Sequence, residues 1–129
     1  MGTRSMIGIY NPADGTVKAM YCHYDGYPAY NGKMLREYYS DPVTAEQLID
    51  LGYASSLCPT VSETREAAVH QDQETVPYES VDQYMRNGHD YCGTEYLYLF
   101  DTERWFVASR YGDDQRFTDI DTILSEKAA

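Results

Sequence analysis

Apolar and polar residues alternate at the start of the chain. Ile7 and Ile9 interleave with Met6, Gly8 and Tyr10, the two-residue period of a strand over Ser5–Tyr10. Asn11-Pro12-Ala13-Asp14-Gly15 follows, with Pro fixing φ and Gly accepting a positive one, so the chain should turn back on itself. Residues 16–24 read as the returning strand, with Val17, Ala19 and Tyr21 on one face and Met20, Cys22 and Tyr24 on the other. Both faces are partly apolar, which predicts a central strand rather than an edge.

The period then changes. Met34, Leu35 and Tyr38 mark one face of a short helix over 31–39, which Asp41-Pro42 is expected to end. Thr44 and Gln47 form a capping-box pattern for a second helix with Leu48, Ile49 and Leu51 inward and Gly52 as terminator. Residues 58–79 are polar, punctuated by Pro59 and Pro77, and read as loop with one short strand near 67–70. Ser80 and Gln83 form another capping box, opening a helix that carries Val81, Tyr84 and Met85 and stops at Asn87-Gly88. The strongest strand pattern comes next. Residues 95–100 and 104–110 form a hairpin around Asp101-Thr102-Glu103, and Thr118 is placed to cap a last helix through Ile120, Ile123 and Leu124.

Two hairpins around a helical middle predict an α+β fold, with a four- to five-stranded, mainly antiparallel sheet packed against three or four short helices. The 129 residues suit a single domain spanning 1–129. No apolar run approaches the ~20 residues of a membrane span, and no apolar stretch follows Met1-Gly2-Thr3-Arg4-Ser5, so an intracellular protein without a membrane partner is expected. Cys22, Cys58 and Cys92 are odd in number and widely spaced, a poor disulfide framework that suits a reducing compartment.

Charge changes the picture. The chain holds 21 acidic and 10 basic residues, a net charge of −11, and residues 59–103 carry ten of the acids against only Arg65 and Arg86. The positive charges are scattered, which argues against DNA or RNA as a direct ligand. The 14 tyrosines supply rings that can pack while keeping a wet hydroxyl, suited to a thin core and to a contact surface alike.

Catalytic chemistry finds little to build on. No serine-hydrolase elbow, zincin, phosphate-loop or dinucleotide motif occurs. Cys22-His23, His70, His89 and Cys92 lack the close pairing of structural zinc sites, and the acidic or apolar company of Cys22 and Cys92 disfavours a thiolate. The expectation is a binding protein, not an enzyme, with no metal and no cofactor.

Met1-Gly2-Thr3-Arg4-Ser5, then Tyr21-Cys22-His23-Tyr24-Asp25-Gly26-Tyr27-Pro28, then Gly32 and Leu35, resemble a family of small bacteriophage proteins. Those begin M-G-T-R-S or M-S-T-R-S and continue Y-C-H-W-D-G-Y-P; Tyr24 stands here in place of the tryptophan. The likeness covers about the first 57 residues and implies a phage origin, hence a host cytoplasm, and little chemistry. The acidic middle looks least like the family.

Three functions stay open. In the first, the chain inhibits a host defence or nucleic-acid-handling protein of anti-CRISPR or anti-restriction type, as a DNA mimic. Asp72, Glu74, Glu79, Asp82 and Asp90, with Tyr78, Tyr84 and Tyr91 between them, would then occupy a basic nucleic-acid-binding groove of the host partner. The second is sequestration of a small nucleotide signal by a polar corner of Arg4, His23, Asp25 and Tyr27. The third is a small enzyme with an unrecognised site.

Overall fold

The computed structural model describes residues 3–68, 73–111 and 116–128. Strands β1 (Ser5–Tyr10) and β2 (Val17–Cys22) form the expected first hairpin, with Ser5 opposite Cys22 and Tyr10 opposite Val17. Asn11 closes its turn by accepting from the N–H of Gly15, whose φ of 77° only glycine adopts freely. Strands β5 (Tyr96–Phe100) and β6 (Trp105–Ser109) form the second hairpin.

The fold is α+β, but the sheet is larger than expected and mixed. Seven strands among the described residues run in the order β3 (Tyr53–Ala54), β2, β1, β5, β6, β7 (Thr118–Asp119), with β4 (Val76–Tyr78) also paired to β2. The two hairpins join through a parallel pairing of β1 with β5, Ser5 beside Tyr96 and Ile9 beside Phe100. The short strands β3 (Tyr53–Ala54), β4 (Val76–Tyr78) and β7 (Thr118–Asp119) complete it; β3 is parallel to β2, and β4 antiparallel to it.

Five α-helices lie among the described residues: α1 (Lys33–Tyr38), α2 (Pro42–Ile49), α3 (Val61–Ala67), α4 (Val81–Asn87) and α5 (Ile120–Ala128). Several begin elsewhere than the sequence patterns suggest. Asp41-Pro42 opens α2 instead of ending α1: the Asp41 carboxylate accepts from the N–H of Thr44, and proline occupies the first turn, where no N–H is needed. Thr44 is therefore a first-turn residue and not the cap. A π-helical turn, Pro28–Gly32, leads into α1 and rotates Tyr39, not Tyr38, into the core. Residues 61–67 form a helix where loop was expected, capped by Thr60 through the N–H of Glu63. The strand expected near 67–70 is not formed at Ala67, and residues 69–70 lie outside those described. Thr118 belongs to β7, and Asp119 accepts from the N–H of Asp121 at the start of α5.

The alternation along β1 and β2 sorts side chains to two cores. Ile7, Met20, Cys22, Tyr98, Phe100 and Trp105 pack with Leu35, Tyr39, Leu48, Ile49, Ile120 and Ile123 on one side of the sheet. Met6, Val17, Ala19, Tyr21, Leu97 and Leu99 pack with Tyr53, Tyr78 and Tyr84 on the other. Helix α4 approaches the second face closely at Gly8, where a Cβ would stand 2.9 Å from Val17 Cγ1 and 3.2 Å from the Tyr84 ring.

Candidate functional site

The antiparallel register that sets Ser5 against Cys22 carries Arg4 and His23 to the same end of the sheet. Tyr21 and His23 are two residues apart and share a face. Beside them runs β3, with Tyr53 opposite Tyr21; pairing continues past the strand as the N–H groups of His23 and Tyr24 donate to the carbonyls of Ala54 and Ser55. From the far side, the turn after α4 brings Tyr91 against the Tyr21 ring, centroids 5.6 Å apart. Cys92 sits there with a left-handed φ of 55°, its carbonyl accepting from Arg4 Nη1 at 2.9 Å.

These segments enclose an open groove of about 540 Å³, lined by Arg4, Tyr21, His23, Tyr24, Tyr53, Gln73 and Cys92. Its size lies in the ~300–1,000 Å³ range of small-molecule sites. Tyr21 and Tyr53 are nearly buried and act as walls, while Tyr24 is 46 % exposed. The Tyr24 and His23 rings meet edge to face, centroids 4.5 Å apart. Arg4 is exposed and, among the described residues, has no carboxylate partner.

Tyr21 Oη and His23 Nδ1 are 2.8 Å apart. Burial pushes the Tyr21 hydroxyl up to about 12, so it keeps its proton at neutral pH. Where that hydroxyl donates to Nδ1, the ring's own hydrogen lies on Nε2. Among its described lining residues the groove combines one permanent cation, aromatic rings and several hydrogen-bonding groups. Its thiol, Cys92, is free and exposed, and the buried Cys22 thiol is pushed up to about 11 by desolvation. Among the described residues no three His, Cys, Asp or Glu side chains gather where they could hold a metal ion.

Of the polar corner expected from sequence, Arg4 and His23 line the groove; Asp25 and Tyr27 do not. Asp25 takes a left-handed φ of 61°, and its carboxylate accepts from Ser56 Oγ at 2.6 Å. Tyr27 starts the π-helical turn, its carbonyl accepting from the N–H groups of Tyr30 and Asn31. Gly26 lies so close to β1 that a Cβ would stand 2.7 Å from the Thr3 carbonyl oxygen, and Tyr98 donates to the Gly26 carbonyl from the core. This half of the unusual string braces the sheet end rather than lining a site.

The acidic set divides similarly. Glu74, Glu79, Asp82 and Asp90 are exposed around β4 and α4. Tyr84 is fully buried, donating to the Tyr98 carbonyl at 2.7 Å, and Tyr78 packs against it with centroids 5.0 Å apart. Neither ring is available to a partner. The helical spacing that set Tyr84 beside Val81 is the signature of a core face, and it outweighs the contact role expected of both tyrosines. Tyr91 is half-buried against Tyr21. Asp72 lies outside the described residues.

Sequence reasoning missed Tyr24, Tyr53, Gln73 and Cys92 as lining residues, and it gave Tyr21 no role in the site. The two-residue spacing of Tyr21 and His23 was available as a signal; the pairing of β3 to β2 was not. No family model, no curated protein and no solved structure matches the chain.

Proposed function

We propose that the chain is a binding protein that sequesters a small nucleotide signal in the groove around Arg4 and His23. One observation carries this reading: a guanidinium without a described carboxylate partner faces the same 540 Å³ groove as an accessible tyrosine ring. In a chain of net charge −11, an unneutralised arginine among tyrosines is well suited to an anionic, aromatic ligand. The resemblance to phage proteins supports a setting in which a virus withdraws a host signal from circulation.

Calorimetric titration of the purified chain with a panel of nucleotides tests this. Saturable one-to-one binding that Tyr24→Ala weakens at least tenfold is the expected result. Such a ligand at one hundred times its Kd stabilises the fold by about 2.7 kcal/mol. A panel without a binder would remove the reading.

A second reading keeps a specific observation in its favour. Glu74, Glu79, Asp82 and Asp90 are all exposed around β4 and α4, so an acidic face remains for a basic groove on a host nucleic-acid-handling protein. Reversing three of them to Lys should weaken capture of such a protein and should make the remaining binding less sensitive to salt. Undiminished capture would dismiss it.

A further inference from the structure

We infer that the groove selects nucleotides whose phosphate is a diester with a single negative charge, such as a cyclic mononucleotide or one unit of a cyclic dinucleotide, over nucleotides with terminal phosphates. This deepens the small-nucleotide reading and rests on it.

Charge matching sets the selection. Arg4 is the only permanent cation among the groove's described lining residues. Its Nη1 is held by the Cys92 carbonyl at 2.9 Å, which anchors the side chain and leaves further guanidinium N–H groups to bind an anion. His23 adds a hydrogen-bonding group: its Nδ1 stands 2.8 Å from the Tyr21 hydroxyl, and where that hydroxyl donates, the ring's own hydrogen lies on Nε2. Tyrosine hydroxyls, the Cys92 thiol and the Gln73 amide are the other polar side chains among the groove's described lining residues. One guanidinium balances one diester oxygen pair, with two parallel N–H···O bonds as its fork geometry favours.

A terminal phosphate has a different balance. A monoester carries close to two negative charges at neutral pH and a triphosphate about four, leaving one to three charges without a partner in the groove. Those charges would sit in the field of a chain of net −11, with Asp90 and Glu74 exposed on neighbouring segments and no second permanent cation among the groove's described lining residues. Unpaired like charge in a partly desolvated site is strongly disfavoured. The accessible ring of Tyr24 supplies a stacking face for the base, which tolerates any base because each has a π-face.

The experiment is calorimetric titration of the full chain at low ionic strength with five probes: 3′,5′-cyclic AMP, 3′,5′-linked cyclic di-AMP, AMP, ATP and adenosine. At least one diester should bind tenfold or more tightly than AMP and ATP. Arg4→Ala should remove at least tenfold of diester affinity while leaving adenosine affinity within twofold, and Arg4→Lys should recover only part of the loss. Tyr24→Ala should weaken every probe, adenosine included. Circular dichroism confirms that each variant is folded; Arg4 and Tyr24 are both exposed, so their removal leaves the two cores intact. AMP or ATP binding as tightly as the diesters would overturn the charge selection while the nucleotide reading stood. An Arg4→Ala chain with undiminished diester affinity would overturn the role given to the guanidinium. Failure of all five probes, adenosine included, would instead bring down the nucleotide reading and this inference with it.

Discussion

Replacing Tyr84 with alanine separates the core role of this residue from the surface role its sequence neighbourhood suggests. The ring is fully buried between Tyr78 and Phe117, with centroids at 5.0 and 5.8 Å, and stands over Gly8. Truncating a buried aromatic side chain costs about 3–5 kcal/mol through lost transfer energy and the cavity left behind. The lost hydrogen bond to the Tyr98 carbonyl, 2.7 Å in length, adds about 1 kcal/mol. The sum, roughly 4–6 kcal/mol, is a large part of the ~5–15 kcal/mol that holds a typical domain together. Tyr84→Phe keeps the ring and loses only the hydroxyl, so it should cost about 1 kcal/mol. Urea unfolding followed by Trp105 emission measures both, with the midpoint moving and the slope unchanged. A loss under about 1 kcal/mol for the alanine variant would refute the burial argument and return Tyr84 to the candidate contacts. Equal losses for the two variants would show that the hydroxyl, not the packing, dominates.

Trp105→Ala should cost about 3–5 kcal/mol, because the indole is buried against Phe100 and its Nε1 donates to the Tyr39 carbonyl; urea unfolding followed by far-ultraviolet circular dichroism checks it. Gly52→Ala should destabilise more than an ordinary surface change, since its φ is 77° and a Cβ would run into the Gln73 carbonyl; a midpoint within ~0.5 kcal/mol of the parent would contradict this. Tyr21 should ionise near 12 in the folded protein, against ~10 for a free tyrosine, as read from the difference in ultraviolet titration between the parent chain and Tyr21→Phe. Its folded value is raised, so the stability linked to this proton is complete below about pH 10 and is lost as pH climbs toward 12. An ordinary titration near pH 10 would mean that the Tyr21 hydroxyl is wetter than the groove geometry implies.

The two hairpins and α4 were legible because their signals are local. Two-residue alternation set the faces of β1 and β2, and Ser80 with Gln83 marked the start of α4, where the Ser80 hydroxyl accepts from the N–H of Gln83. Thr60 and Glu63 carry the same kind of signal for α3, but Pro59 and the polar stretch around it gave that helix no clear apolar stripe. Asp41-Pro42 misled because proline is hostile to the helix before it and friendly to the helix after it. The parallel pairing of β1 with β5 leaves no local trace: Ser5 and Tyr96 become neighbours only through the folding of everything between them. The site shares this division. Arg4 and His23 meet through a hairpin register that the sequence predicts, whereas Tyr53 and Cys92 arrive by long-range pairing and a returning turn. Tyr84 shows the reverse error, a residue noticed for its chemistry and used for its volume.

The parallel seam between β1 and β5 also governs when the groove can exist. Its lining residues come from positions 4, 21, 23, 24, 53, 73 and 92, and the wall at Cys92 is fixed through the Glu95 N–H donating to the Arg4 carbonyl where the seam begins. A contact so distant in sequence must close a long loop before any pairing repays the lost entropy, the circumstance that slows folding in mixed sheets. The first hairpin can form early by itself, but it holds only Arg4, Tyr21, His23 and Tyr24. On a ribosome the groove would therefore be complete only once β5 has emerged, and the proposed ligand affinity would report completion of the whole sheet, so that a chain cut before residue 92 should keep the Tyr21–Pro28 string and none of the proposed binding.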